Sequence, residues 1–444
     1  MHTYENPVRV DFVRGDYTGL EIPAHSDALC GAAGASFLTE AFHHFGSLPA
    51  DNRVVRITRA ESFPGGNSGH KLAFSVEYAH HASDLHRDLF VKFSRDFSDP
   101  FRDRRRNELE AEVRLATLSR HPQFPVHVPK AYFADFQHAS DTGLLITQQI
   151  AFGQGAIEPL HRKCMDHLLP EPLTYYRAIL TALADLAAAY KAGRLSPQVE
   201  QLFPFDLETA VAADPIAYDE PQLRERTERY RAFGTAHPQL LPANVTTPEF
   251  VDRLGREAVR FLRHERTIKR FLHADRDYIA LCHYNGNIDN AWFWRDARGG
   301  LQCGLLDWGR VRPMNVAYSI WGSLCAGDLQ LWDLHLDELI QLFVDELHRQ
   351  GGPLLQVAEI KLHLHLYVAT MGLATMIDVP RLILTRVPHV GGASGPRDPI
   401  LERDTVARGF LQVFSAFLNL WQSQDFGASL DCMLQRLGLP DDAH

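Results

Sequence analysis

Three polar side chains stand at fixed spacing in LCHYNGNIDNAWFW, residues 281–294: His283, Asn285 and Asn290. A carboxylate, Asp307, follows in GLLDWG at 304–309. Between Asn290 and Asp307 lie two strand-like runs, AWFWR (291–295) and LQCGLL (301–306), joined by the polar loop DARGG. A short loop with two glycines is a common hairpin connection. If Arg295 pairs with Leu301, Asn290 falls opposite Leu306, beside Asp307. Opposed residues in an antiparallel pair lie about 5 Å apart, so the amide and the carboxylate are expected at the hairpin's open end. An amide oxygen and a carboxylate can grip one hard cation. Mg²⁺ takes one or two protein ligands and leaves its other positions to water and phosphates. Taken singly, each residue would more simply cap loop backbone groups; together, at mirror-related positions, they read better as metal ligands.

The elements that must position these residues fall into two parts. Residues 1–50 show weak periodicity and read as an extension with one helix around Ala35–His44. In 51–150 the runs RVVRITRAESF, KLAFSVEY and DLFVKF predict strands, the first two joined by the turn-rich PGGNSGH. RRRNELEAEVRLATLSRH predicts a helix with an apolar stripe of Leu109, Val113, Leu115 and Ala116, and VPKAYFADF and LLITQQI two further strands. A boundary is expected near Gln149–Gly155, in a Gly-rich stretch. From 151 to 444 long helical patterns dominate: about 172–193, 248–272 with Thr247 as cap and Pro248 at the first helical position, 331–349, 354–383 and 400–422. The hairpin at 281–309 is embedded among them. The Gly/Pro-rich 385–399 segment is a candidate lid. The fold class expected is α+β, with a small antiparallel-sheet lobe and a large, mainly helical one.

The 444 residues, 45% hydrophobic and 23% charged, are ordinary globular composition. A net charge of −10 gives no footprint for nucleic acid; the basic run Arg104–Arg106 sits among acids and reads as a solvated helix face. No signal core and no bilayer-length apolar run is visible. Cys30, Cys164, Cys282, Cys303, Cys325 and Cys432 form no CxxC pair and lie in apolar runs, which predicts reduced, buried thiols. A cytoplasmic protein without nucleic-acid or membrane partners is expected; oligomeric state is not legible.

These pieces resemble the aminoglycoside phosphotransferase and choline kinase-like family, relatives of the protein kinases. The family's loop, roughly H-G-D-x-H-x-x-N, is matched by His283-Tyr284-Asn285-Gly286-Asn287-Ile288-Asp289-Asn290, and its metal motif by Leu306-Asp307-Trp308. ESFPGGNSGHKLAFSV is similar to its nucleotide loop, LFVKF puts Lys92 at its strand lysine, and EVRLATL puts Glu112 at the helix glutamate that pairs with it, with Glu108 a competitor one turn away. The resemblance covers about 53–323 in the right order.

It implies a protein-kinase-like two-lobed fold, ATP or another NTP, Mg²⁺ and a small-molecule hydroxyl acceptor. The main chain of Gly65, Gly66, Asn67, Ser68 and Gly69 would cover the phosphates. Lys92 would bridge phosphate oxygens with Glu112 holding it, the nucleobase would lie against the linker at Gln149, and Asn290 and Asp307 would hold the metal. Two positions depart from the pattern. Asn285 stands where the family has its catalytic aspartate, and an amide can orient a hydroxyl but not take its proton. Ser319 stands where the family keeps an aspartate that braces the loop. Three readings follow: a slow or specialised kinase with Asn285 orienting the acceptor, a nucleotide-binding protein without transfer, or a pocket turned to another reaction.

Other constellations have simpler explanations. His363 and His365, two apart on a helical pattern, point to different faces, which is poor geometry for one metal. Asp333, Asp337, Glu338 and Asp345 read as a solvated face before a pocket for a cationic acceptor, and Trp321, Trp332 and Tyr367 as core before an apolar acceptor pocket; Trp308 reads equally as core or ligand. No zinc or GxSxG signature is present.

Overall fold

Runs rich in β-branched and aromatic residues between 54 and 93 give strands, and the 3.6-residue stripes beyond 172 give helices. The computed structural model describes residues 10–63, 69–96 and 108–440. Gly65, Gly66, Asn67 and Ser68, and the Arg104–Arg106 run, lie outside the described residues. The chain divides into two compact units. The first is 1–159 with 193–203 and 304–312; the second is 160–192, 204–303 and 313–444.

In the first unit, β1 (Phe12–Arg14) and β2 (Glu21–Pro23) pair with each other, followed by α1 (Ser26–Cys30) and α2 (Gly34–Phe45). Then come β3 (Val54–Phe63), β4 (His70–Tyr78), β5 (Asp88–Phe93), α3 (Glu108–Leu118), β6 (Ala131–Gln137), β7 (Thr142–Gln148) and, later in the chain, α5 (Val199–Leu202), numbered after the α4 described below. Five strands form one antiparallel sheet in the order β3-β4-β5-β7-β6. The stripe expected on α3 is buried: Leu109, Val113, Leu115 and Ala116 face inward, and α3 packs on β6 and β7. Residues 10–50 join this core, with Ile22, Leu38 and Phe42 packed in one cluster with Phe74, Val91, Phe133 and Ile146. Gly15 is required there, because a Cβ would stand 2.0 Å from the buried Asp135 carboxylate that accepts the Tyr17 and Thr18 N–H groups.

The second unit holds α4 (Pro172–Lys191), α6 (Leu207–Ala212), α7 (Glu220–Ala236), α8 (Pro248–Ala274), α9 (Val316–Leu324), α10 (Leu329–Arg349), α11 (Val357–Thr375), α12 (Val379–Arg386), α13 (Pro399–Glu402), α14 (Thr405–Ser423) and α15 (Phe426–Arg436). Between α8 and α9 run the short strands β8 (Ile279–Cys282), β9 (Ala291–Arg295), β10 (Leu301–Leu305) and β11 (Arg312–Asn315), paired β9 with β10 and β8 with β11. Thr247 caps α8 through its hydroxyl, with Pro248 in the first turn. The β9–β10 turn is closed by Asp296 N–H on the Gly300 carbonyl at 2.9 Å, the partners that pairing Arg295 with Leu301 demands.

Four expectations are corrected. The helix expected over 354–383 is two, α11 and α12, bent by 45° at the break before Pro380; proline removes a donor and restricts the residue before it. The helix expected over 400–422 breaks at Asp404, whose carboxylate accepts the N–H groups of Val406 and Ala407 and so starts α14 afresh. Helices α7, α9 and α15 were not foreseen, although Asp219 and Gln222 form a capping box that announces α7. The cysteines are free thiols, but Cys30 is exposed and Cys325 and Cys432 only half-buried. No single helix among the described residues is long and apolar enough to cross a membrane.

Candidate functional site

Strand β5 ends DLFVKF, and alternation turns Leu89, Val91 and Phe93 to the core, leaving Lys92 on the other face. A lone buried lysine would be costly. Here Lys92 Nζ donates to both Glu112 oxygens at 2.8 Å and to Asp307 Oδ1 at 2.7 Å. Lys92 and Glu112 are 7% and 4% exposed. Burial alone would pull the ammonium's pKa down, but Glu112 and Asp307 outweigh it and hold the pKa above its ordinary value. Burial also pushes the Glu112 carboxyl toward its neutral form. Both its oxygens nevertheless accept from one ammonium, which fits the carboxylate, so the pair is ionic. Glu112, not Glu108, is the partner. Three residues expected to cooperate are thus brought together within the first unit.

Asp307 is delivered by the 304–312 segment. Its φ is +61°, left-handed backbone that a short polar residue tolerates better than most. Trp308 Nε1–H donates to the Leu305 carbonyl at 2.9 Å and pins the turn, with the indole buried as core. Gly309 lets the segment lie against α3, since a Cβ there would be 3.2 Å from Glu108 and 3.4 Å from Glu112 Oε1.

A second cation went unnoticed in the sequence. Lys71 on β4 is the register partner of Lys92 on β5, and opposed residues share a face. Burial, then the Lys92 charge, lowers its pKa. Pairing KLAFSVEY against DLFVKF would have exposed it. Gly69 precedes β4 at φ +140°, where a Cβ would stand 1.9 Å from the Phe93 carbonyl. Only glycine fits. Gln149 follows β7; its N–H is spent on the Asp88 carbonyl at 3.1 Å, and its side-chain oxygen accepts from Arg59 at 3.4 Å.

The loop after β8 lies in the second unit. His283 is fully buried, and its Nδ1 accepts the Asn285 N–H at 3.1 Å. Ser319 Oγ–H donates to the His283 carbonyl at 3.0 Å, so a hydroxyl braces the loop. Asn290 Nδ2 donates to the Asn285 carbonyl at 2.9 Å, which turns its Oδ1 free of that bond. Asn287 Nδ2 donates to Asn285 Oδ1 at 2.7 Å, and Asn287 Oδ1 in turn accepts from the Cys325 thiol at 3.8 Å. The oxygen of Asn285 is therefore already engaged, and its NH₂ remains as a donor. Asn290 belongs to the second unit and Asp307 to the first.

The constellations set aside earlier are accounted for among the described residues. His363 Nδ1 meets Asn315 and His365 Nδ1 meets Ser429, so the two rings share no ligand position. Asp337 pairs with Lys361 and Glu338 with Arg177. Trp321 and Trp332 are core, ring centroids 5.3 Å apart. No cluster of three or more His, Cys, Asp or Glu side chains suited to a metal is found among the described residues.

No family model matches the chain, and no curated protein matches it in sequence. Solved structures similar to it include a Plasmodium vivax ethanolamine kinase (12% identity, 82% of this chain and 83% of that one, TM-score 0.41). A microcompartment-associated aminopropanol kinase (12%, 84% and 93%, 0.41) and the GDP complex of an aminoglycoside 2′-phosphotransferase-IIIa mutant (15%, 84% and 95%, 0.38) are others. The chemistry is read below from this chain's own residues.

Proposed function

We propose that this chain is a nucleotide-dependent phosphotransferase acting on a hydroxyl group of a small molecule. The observation that carries the reading is the buried Lys92, held from two sides by Glu112 and Asp307. A lysine fixed this way is a positioned point charge, which phosphoryl transfer needs more than it needs covalent help. ATP or another NTP would place phosphate oxygens against Lys92 and Lys71, with the Gly69 backbone close by. The Asp307 carboxylate and the Asn290 amide oxygen are each hard donors of the kind Mg²⁺ accepts. Mg²⁺, when bound, would supply neutralisation of phosphate charge.

In the transfer, the acceptor oxygen bonds to the terminal phosphorus as the bond to the bridging oxygen breaks, releasing a nucleoside diphosphate. The hydroxyl proton goes to solvent, because Asn285 cannot take it. What Asn285 does supply is an N–H donor for an oxygen of the acceptor or of the phosphoryl group. A missing general base typically costs about 10²–10⁴ in rate, and a loose transition state reduces that cost.

A second reading, nucleotide binding without transfer and a regulatory or scaffold role, is favoured by one observation. Neither Asn285 nor Ser319 brings a carboxylate to the loop.

A melting titration with Mg-ATP tests the nucleotide site. A ligand at a hundredfold its Kd adds about 2.7 kcal/mol of apparent stability, and this gain is expected in the wild type and lost in Asp307→Asn. No gain in the wild type overturns the reading. Phosphate transfer to a hydroxyl-compound panel then separates the two versions: turnover in the wild type supports the enzyme, and turnover only in Asn285→Asp supports the binding protein.

A further inference from the structure

A cavity of about 500 Å³ opens in the second unit, walled by the 166–168 turn, the start of α10, α14 and the 394–398 segment. Two charged residues of its wall are almost wholly buried: Asp166 at 4% and Arg408 at 5% exposure. Charged side chains are seldom buried to that degree unless paired, because an unpaired buried ion forfeits its hydration. Neither is ion-paired among the described residues.

Asp166 Oδ2 accepts from the Tyr176 hydroxyl at 3.1 Å and the Asp328 N–H at 2.9 Å, both neutral donors. Arg408 donates from Nε to the Lys163 carbonyl at 3.1 Å and from Nη1 to the Glu402 carbonyl at 2.6 Å. Among the described residues no carboxylate lies at ion-pair distance from Arg408 and no cation at ion-pair distance from Asp166. Arg408 Nη2 makes no hydrogen bond there. Ser415, about two turns further along α14 and 5% exposed, has no hydrogen bond for its hydroxyl among the described residues.

The neighbouring charges do not supply the missing partners. Asp328 Oδ2 is taken by Arg397. Asp398 accepts from the N–H and hydroxyl of Ser394 and from the Ile400 N–H. What remains is one buried cation and one buried anion facing a common space. A cationic ligand would leave Arg408 bare, and an anionic ligand would leave Asp166 bare. A ligand with both charges satisfies both.

We infer that this cavity binds a small zwitterion, its carboxylate on Arg408 and Ser415 and its ammonium at Asp166. The volume lies within the usual range of small-molecule pockets and admits an amino acid with room to spare. A run of contacts joins the wall to the loop. Cys325, three residues before Asp328, donates its thiol to Asn287 Oδ1, and Asn287 donates to Asn285. Resting on the phosphotransferase reading, the zwitterion is the acceptor and carries the hydroxyl.

Calorimetric titration of the whole chain, without nucleotide, tests the site with serine, homoserine and hydroxyproline, each alongside its methyl ester and N-acetyl derivative. At least one parent compound is expected to bind, with each charge-capped derivative at least tenfold weaker. Arg408→Gln should abolish the preference for the parent over the ester, and Asp166→Asn the preference over the N-acetyl form. Arg408→Lys, which keeps the charge, should retain weaker binding. No binding by any parent, or derivatives that bind as well as the parents, overturns the proposal, and the wild-type comparison decides this even if a variant fails to fold. Binding with no transfer from Mg-ATP to the bound hydroxyl overturns the acceptor role. Failure of the phosphotransferase reading shows separately, as no Mg-ATP gain in the wild-type melting titration.

Discussion

Lys92 Nζ sits 2.7 Å from Asp307 Oδ1, a contact that joins residues 215 apart in sequence. With Glu112 on its other side, the ammonium is fully occupied by carboxylates. A phosphate arriving there exchanges one partner for another and need not strip a hydrated ion.

Removing this ammonium should therefore do two separable things. Lys92→Met leaves Glu112 buried without its partner and should cost about 3–5 kcal/mol in chemical denaturation. Lys92→Met with Glu112→Leu should restore most of that stability yet still show no Mg-ATP-induced shift. If the double variant regains the shift, the lysine is structural only.

Asp307→Asn should cost about 1 kcal/mol or less, because a third of this side chain is exposed and the solvent screens the pair. Its effect belongs to ligand binding. Denaturation curves that nearly overlay the wild type, with metal-dependent stabilisation gone, are the expected result.

Gly69→Ala should destabilise by at least about 2 kcal/mol. The backbone conformation at φ +140° is open to glycine almost alone, and the methyl would stand 1.9 Å from the Phe93 carbonyl. Melting should fall, and nucleotide affinity should fall with it, since β4 must shift. Gly155→Ala, at φ +60° with open space around it, is the control and should cost less.

Acid should unfold the protein through two histidines. His363 and His365, each with an ordinary value of 6.5, are pushed down to about 4 by burial. In the folded state they stay neutral, while in the unfolded chain they take up protons below about 6.5. Stability should thus be complete above pH 6.5 and fall as the pH drops toward 4, by up to about 3 kcal/mol for each histidine. Denaturation midpoints at pH 7, 5.5 and 4.5 measure this; His365→Gln should flatten the fall by about half. The fall should be insensitive to added metal, because the two rings share no ligand position.

Bracing of the loop is open to the same approach. Ser319→Ala removes the hydroxyl bond to the His283 carbonyl and should cost about 1–2 kcal/mol. If phosphate transfer is present, its rate should drop more than its KM rises, because the loop and not the ligand contact is loosened.

By itself, the sequence determined what depends on neighbours along the chain. The strand-forming runs of β3, β4 and β5, the apolar stripe of α3, the Thr247-Pro248 start of α8 and the β9–β10 hairpin are all local patterns of composition, period or turn. Lys92, Glu112 and Asp307 could be singled out because each occupies a recognisable slot in such an element. Tertiary structure decided what depends on distance through space. It selected Glu112 over Glu108 and set Lys71 across from Lys92. It spent the Asn285 oxygen on Asn287, broke two long helices at Pro380 and Asp404, and left Asp166 and Arg408 buried around one cavity without counter-ions among the described residues. Periodicity is a property of a few consecutive residues, whereas the pairing or desolvation of a charge depends on which remote segment fills the space beside it, and nothing local encodes that.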